Sequence, residues 1–417
     1  MPHLVKKSRN GRRISQSVGL GSIVTFAVLY SPQPVAHLLS AEWNVSPAAA
    51  GASISVATFP LAFAALLVPA LSSIWGRVAI MRWSLVFASV FAILSAFAAN
   101  VQQFLVFRLL IGLSAAGFPA AAMAHLTAEF YSKDAMRQIG LYVAGTAVGG
   151  FAGRMLVGAG ADLFGWRAGV LALGAASLGC SIAFWLRLPE SSNGRPRSRP
   201  FFGSWLIGLR TSFSSRRLLA LYAMGFSLMG VYVAIFNYIG YALNVTPYSI
   251  GQTALGLLFV VNLVGTWSSV LFGRLAARRS RRFALVLATL IALGGIALAG
   301  LDSLAAKVVG CGAVAFGFFA GHAVASGWVG LLAPGQAKES APAVYLLFYY
   351  AGSSIVGWTG GIVLRQYGWD GLVGAGFVLL ASTLATTYPL LRTAFSTSPA
   401  AVGEPAHTNS PTHSRRT

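Results

Sequence analysis

The amino-acid sequence predicts an all-α integral membrane protein, with twelve transmembrane helices in two pseudo-symmetric six-helix bundles, and three observations carry this. Hydrophobic residues make up 56% of the 417 and charged residues only 9%, a balance that ordinary soluble domains do not reach. Twelve apolar runs have the roughly 20 residues that a helix needs to cross a bilayer. One segment is also written twice. Tyr142-Val-Ala-Gly-Thr-Ala-Val-Gly-Gly-Phe-Ala-Gly153 returns 207 residues later as Tyr349-Tyr-Ala-Gly-Ser-Ser-Ile-Val-Gly-Trp-Thr-Gly360, and a Gly-Trp pair follows each copy, Gly165-Trp166 and Gly368-Trp369. The chain is therefore a duplication.

The runs lie at 18–40, 51–71, 79–99, 103–127, 139–160, 168–188, 218–241, 251–272, 283–301, 305–332, 342–364 and 371–391. The first is too long for a signal peptide and lacks a small-residue cleavage site, so it reads as a retained span. Asn44–Ala50, Ala99–Gln103 and Asn244–Gln252 gather Pro, Asn, Gln and Ser and read as short turns. The spans of residues 1–189 form the first bundle and those of 217–392 the second. Between them, 190–216 shifts to Ser, Pro, Gly and Arg, a linker whose Phe201-Phe202 and Trp205 to Leu209 are either loop or a short amphipathic helix on the membrane surface. Residues 393–417 have no periodicity and read as a disordered tail. The small residues of the repeat, Gly145, Gly149, Gly150 and Gly153 in one copy and Gly352, Gly357 and Gly360 in the other, read as helix-packing seams. Such residues let backbones approach closely where lipid and side chain are equally apolar.

The net charge of +21 would suit a nucleic-acid binder, but its distribution argues for orientation instead. With the N-terminus on the cytoplasmic face, all Lys and Arg fall on that face except Arg108, Arg154, Arg167, Lys307 and Arg365. The positive-inside rule then places both termini in the cytoplasm of a cell inner membrane. Basic residues in the linker favour anionic lipid heads. Cys180 and Cys311 both lie in apolar runs and read as packing residues, with no disulfide framework.

Three motifs carry a family resemblance. Leu71-Ser-Ser-Ile-Trp-Gly-Arg77, between spans 2 and 3, and Gly273-Arg-Leu-Ala-Ala-Arg-Arg-Ser-Arg-Arg282, between spans 8 and 9, resemble the loop motif of the major facilitator superfamily. Arg108-Leu-Leu-Ile-Gly-Leu-Ser-Ala-Ala116 resembles its Arg-x-x-x-Gly motif, and Gly145-Thr-Ala-Val-Gly-Gly150 the Gly-Pro-x-x-Gly-Gly signature of its antiporters. Tyr30-Ser-Pro-Gln-Pro34, Phe236-Asn-Tyr-Ile-Gly-Tyr241 and Gly321-His-Ala-Val-Ala-Ser326 look like its drug and sugar efflux branch, in particular arabinose-efflux-type members. Ser73 and Ala277 replace the acid of the loop motif, and Thr146 the proline of the signature. The resemblance implies a major facilitator fold, alternating access between the halves, a gate using Gly76, Arg77, Gly273 and Arg278, and proton coupling at Arg108.

The chemistry in the spans is sparse. No Gly-x-x-x-x-Gly-Lys-Ser/Thr loop occurs, so transport would run on an ion gradient or downhill. The nine carboxylates lie at span ends, in loops or in the tail. Arg154, in the outer half of span 5, is either an anion-binding or proton-gating residue facing a cavity, or a residue that snorkels outward or pairs with Asp162. His322 and His37 are either proton relays or packing histidines. His125 and Glu129 share a face of span 4, as a relay or metal site or as a helix-end contact. Spans 1, 4, 7 and 10 line the cavity in the resembled family, and there Tyr30, Gln33, Tyr232, Asn237, Tyr238 and Phe318 supply rings and hydrogen-bonding groups, with Asn262, Tyr345 and Tyr349 from spans 8 and 11.

The resulting expectation is a secondary transporter exporting a small organic molecule in exchange for protons, without cofactor or metal. It would act as a monomer, with membrane lipid and no nucleic acid as partner. An importer or facilitator of a polar metabolite on the same fold is the nearest alternative. A membrane-embedded enzyme would need an acid pair or nucleophile that the spans lack, and a non-transporting sensor is the other remote reading.

Overall fold

In a computed structural model that describes residues 9–130, 132–190, 201–334 and 337–392, the chain is nearly all helix. The linker stretch 191–200 and the tail 393–417 lie outside the described residues, as do the side chains of Ser73, Lys133, Arg137 and Lys338. Span 1 is two helices, α1 (Arg9–Tyr30) and α2 (Ala36–Trp43), separated by a 3-10 turn at Gln33–Val35. This corrects the single run expected at 18–40. Pro32 and Pro34 have no N–H, so the helix cannot pass through them without leaving carbonyls of the preceding turn unpaired.

Span 2 is α3 (Pro47–Trp75), opened by Ser46, whose hydroxyl accepts from Ala49 N. Gly76 at φ +84° ends it and begins α4 (Arg77–Ser95), a conformation that glycine adopts without a Cβ penalty. Span 4 is α5 (Val101–Ala115) and α6 (Gly117–Glu129), and spans 5 and 6 are α7 (Ser132–Phe164) and α8 (Trp166–Arg187). The linker holds α9 (Phe201–Ser214), so the amphipathic stretch is helical. Span 7 is α10 (Arg216–Leu243). Span 8 is α11 (Gln252–Leu258), a 3-10 stretch at Phe259–Leu263, and α12 (Val264–Arg278). Spans 9 and 10 are α13 (Arg281–Ala299) and α14 (Leu304–Leu332). Spans 11 and 12 follow each other in α15 (Ala337–Arg392), broken at Gly368, φ +66°. Ser212 of α9 meets Ser340 of α15 at 3.2 Å, so this helix packs on the second bundle.

The duplicated segment is a seam in each half. Side chains at Gly145, Gly149 and Gly153 of α7 would run into Gly19, Ile23 and Ala27 of α1, the same four-residue step on both helices. In the second bundle, Gly352 of α15 abuts the backbone of Phe226, and Gly357 and Gly360 pack on Val233, Ala234 and Tyr238, all on α10. Each copy therefore docks the fifth helix of its half on the first. The Gly-Trp pairs also share a role. Gly165 and Gly368 take φ +87° and +66° at the tight turns, and the indoles beside them tie each turn down, Trp166 to Glu42 and Trp369 to the Ala299 carbonyl at 2.8 Å.

Hydrogen bonds that join the halves among the described residues lie from the middle of the bundle to the end away from α9. Thr58 of α3 meets Ser354 of α15 at 3.1 Å, and Ser40 of α2 meets Tyr241 of α10 at 2.6 Å. At the outermost point Asp162 of α7 accepts from Gln252 N, Thr253 N and Thr253 Oγ1 at 2.9, 2.7 and 2.6 Å. A carboxylate on the first N–H groups of a helix satisfies donors that the helix cannot. Asp162→Ala is expected to loosen this seal, speeding hydrogen exchange of the Gln252–Gly256 amides about 10-fold, as loss of about 1.4 kcal/mol would give. Unchanged exchange would show that the carboxylate does not hold the halves together.

Candidate functional site

The five cations that stand apart in the sequence meet different fates. Arg167 pairs with Glu42, Lys307 donates to the Ala299 carbonyl at 3.3 Å, and Arg365 is exposed. Arg108 and Arg154 are 2% and 3% exposed, inside the bundle. What surrounds these two guanidinium groups separates a structural role from a ligand-binding one.

Arg108 on α5 is caged by backbone. Its Nε donates to Ser53 O at 2.8 Å, its Nη1 to Val28 O at 2.9 Å and its Nη2 to Leu29 O. Val28 O would normally accept from the N–H four residues on, which is Pro32 and has none. The arginine thus replaces a hydrogen bond that the prolines remove from α1 and ties α1, α3 and α5 together. Each of its three nitrogens is engaged in this cage.

Arg154 on α7 is held differently. Its Nε donates to Gln33 Oε1 at 2.6 Å and its Nη1 to Gly150 O at 2.5 Å. The guanidinium carbon lies 5.0 Å from the Tyr30 ring centroid and 4.5 Å from that of Phe259, within cation–π range. Gln33 passes the interaction across the halves, its Nε2 donating to Asn237 Oδ1 of α10 at 2.6 Å. Gly150 is not a packing residue as expected, because a Cβ there would meet only Arg154 Nη1, at 3.0 Å. It leaves room for the guanidinium. The pairing with Asp162 does not form, since that carboxylate is engaged with α11.

Arg154 opens on a cavity of about 60 Å³ between the halves, lined from α1, α7, α10, span 8, α14 and α15. Of the expected lining residues it brings together Tyr30, Tyr232, Asn262, Phe318 and Tyr349. Tyr232 and Phe318 stack with centroids 4.2 Å apart, and Phe318 and Tyr349 at 6.0 Å. Asn262, in the 3-10 stretch of span 8, is 3% exposed, and neither atom of its amide head has a partner. A larger apolar groove of about 550 Å³, lined by Leu71, Trp75 and Trp83 among others, carries among the described residues two serine hydroxyls, Ser84 and Ser114, and no charge to orient a ligand.

The other candidates lie elsewhere. Tyr238 sits in the α10 seam with its hydroxyl on Gly357 O at 2.7 Å. Gln33 and Asn237 stand behind Arg154 and do not line the cavity. His322 and Tyr345 bond each other at 3.0 Å outside its lining, with the His322 ring 4.6 Å from Tyr349. Gly76 and Arg77 form the α3–α4 turn, whereas Gly273 and Arg278 lie exposed on α12. Phe26, Thr146, Met229, Phe259 and Phe319 also surround the site. Of these, Thr146 had the only signal in the sequence, as the residue that replaces a proline.

The Major Facilitator Superfamily model matches residues 18–357. The chain is 38% identical over 369 residues to the inner membrane transport protein YnfM of Escherichia coli (strain K12), covering 88% of each chain. It is 37% identical over 391 residues to the uncharacterized MFS-type transporter YybF of Bacillus subtilis (strain 168), covering 93% of this chain and 96% of that one. Its fold superposes with a TM-score of 0.75 on a bacterial homolog of the human lysosomal transporter Spinster, in an inward-facing and unoccupied conformation. That match has 18% identity and covers 95% of this chain and 100% of the other.

Proposed function

The chain belongs to the major facilitator superfamily, and from that membership we propose that it exports a small organic molecule across a bacterial inner membrane in exchange for protons. It is a multi-pass membrane transporter and not an enzyme. The observation that carries the proposal is the cavity between the halves, with one buried cation and two unpartnered amide atoms among aromatic rings. Rocking one bundle against the other around such a site would expose it to each side in turn.

In this reading both termini face the cytoplasm, which puts the Asp162 and Ser40–Tyr241 seal on the outer side, and the protein works as a monomer. The glycine-rich segment of α7 supports the antiport direction by its likeness to the antiporter signature. Rupture of the Gln33 bridge between Arg154 and Asn237 would couple cavity occupancy to the seal, because the same glutamine touches both halves. The test is a thermal-shift screen of metabolites and toxic compounds on purified protein, followed by flux of the hits into everted vesicles. Flux that follows an imposed proton gradient is expected, and accumulation indifferent to that gradient would overturn the exchange.

A further inference from the structure

We propose that the cavity binds a small organic monoanion, a carboxylate whose charge meets Arg154 Nη2 and whose oxygen accepts from the Asn262 amide. This rests on the transport reading above and names the chemical class of its substrate.

Charge comes first. Among the described residues, the lining of the cavity contains Arg154 and no acidic residue. Glu42 is engaged by Trp166 and Arg167, Glu190 by Arg82 and Asp162 by α11. A guanidinium inside a span costs about 2.5–3.5 kcal/mol on insertion scales and is normally paired. Aromatic faces and two neutral acceptors offset part of that cost and leave the net charge in place. A single positive charge calls for a single negative one.

The donor geometry agrees. Nε and Nη1 are held by Gln33 and Gly150, which fixes the plane of the guanidinium. Nη2 has no acceptor among the described residues. Asn262 lines the same cavity with a buried, unpartnered amide, and a buried polar group without a partner costs about 1–3 kcal/mol. A carboxylate satisfies both sites. A neutral solute would leave the charge unmatched, and a cation would be repelled in a medium where charges are weakly screened.

Size and shape complete the class. About 60 Å³ is well below the roughly 300–1,000 Å³ of drug-sized pockets and below the roughly 150 Å³ of a cavity that takes up benzene, so a ring-bearing carboxylate enters as the bundles part around the site. The Tyr232 and Phe318 rings offer a flat apolar wall beside the charge.

The test uses the purified full chain, with benzoate, benzamide and benzylamine as isosteric anion, neutral and cation probes, read by thermal shift and calorimetry. Benzoate alone is expected to bind. Its affinity should fall about 30-fold in Arg154→Gln, as loss of a charged hydrogen bond predicts, and about 5-fold in Asn262→Leu. Asn262→Leu leaves the guanidinium cage intact, so the proposal stays testable if Arg154→Gln does not fold. Equal binding of benzamide, full affinity in both variants, or no benzoate binding to the wild type would overturn it. Benzamide or benzylamine moved through proteoliposomes while benzoate is not would also sink the anion and leave the transporter standing. Benzoate bound through Arg154 but never moved would do the reverse.

Discussion

Arg108→Leu is expected to remove most of the folded protein, seen as loss of the monodisperse species after extraction and a large drop in melting temperature of what remains. The leucine takes the guanidinium donors away from Val28 O, Leu29 O and Ser53 O, leaving Val28 O only the Ser31 hydroxyl at 3.0 Å, and cuts the tie between α1, α3 and α5. A hydrogen bond from a charged group contributes about 1.5–3 kcal/mol, so the loss of three is a large part of a typical stability of about 5–15 kcal/mol. Water could replace the arginine on an exposed helix, but this one is sealed by α3 and α5. Arg108→Lys should recover only part of the loss, because one ammonium lacks the span of a guanidinium fork. A stable Arg108→Leu protein that had lost only its pH dependence would return this residue to the coupling role implied by the family motif.

Gly149→Leu and Gly352→Leu are expected to prevent assembly of their respective halves. A Cβ at Gly149 would sit 2.6 Å from Ile23 Cα and one at Gly352 2.8 Å from Phe226 Cα, both closer than carbon atoms pack. Relief requires separating α7 from α1 or α15 from α10, which strips contacts from whole seams. Inserting extra methylenes into a tight core already costs about 1–3 kcal/mol, and here backbone is the obstacle. Either variant should fail to give folded protein in the same extraction assay, whereas Gly179→Leu, on a face with open space, should extract normally. Normal extraction of the seam variants would mean that the repeated glycines are not packing sites.

What the sequence made legible follows from how local each signal is. Span positions rest on runs of apolar residues, and the twelve expected spans recur in the structure with shifts at their ends. The seams were legible because duplication doubled the signal, although Gly150 shares the motif and serves Arg154 instead. Arg154 itself stood out because a charge in a span has few innocuous explanations. Its surroundings did not stand out. Gln33 and Asn237 are 204 positions apart and bond across the halves, and Phe259 reaches the guanidinium from a helix of the other bundle. Asp162, two turns along the same helix, is the partner that sequence alone offers Arg154, yet its carboxylate caps α11 of the opposite half. Such pairings depend on how two bundles dock, which no local pattern encodes. The 3-10 breaks at Gln33–Val35 and Phe259–Leu263 are of the same kind. Prolines announce the first, and nothing in composition announces the second.

In the proposed cycle a solute held by Arg154 crosses between the halves in exchange for protons. Everted vesicles with an acid interior test it directly with radiolabelled benzoate. Passive permeation as the neutral acid would deplete benzoate from the acid compartment, and with the membrane potential clamped by potassium and valinomycin an anion uniport has no drive, so accumulation there requires exchange against protons leaving. Accumulation that collapses with a protonophore and is absent in Arg154→Gln vesicles is expected. Benzoate that stays depleted in wild-type vesicles, or that accumulates equally after the gradient is collapsed, would contradict it.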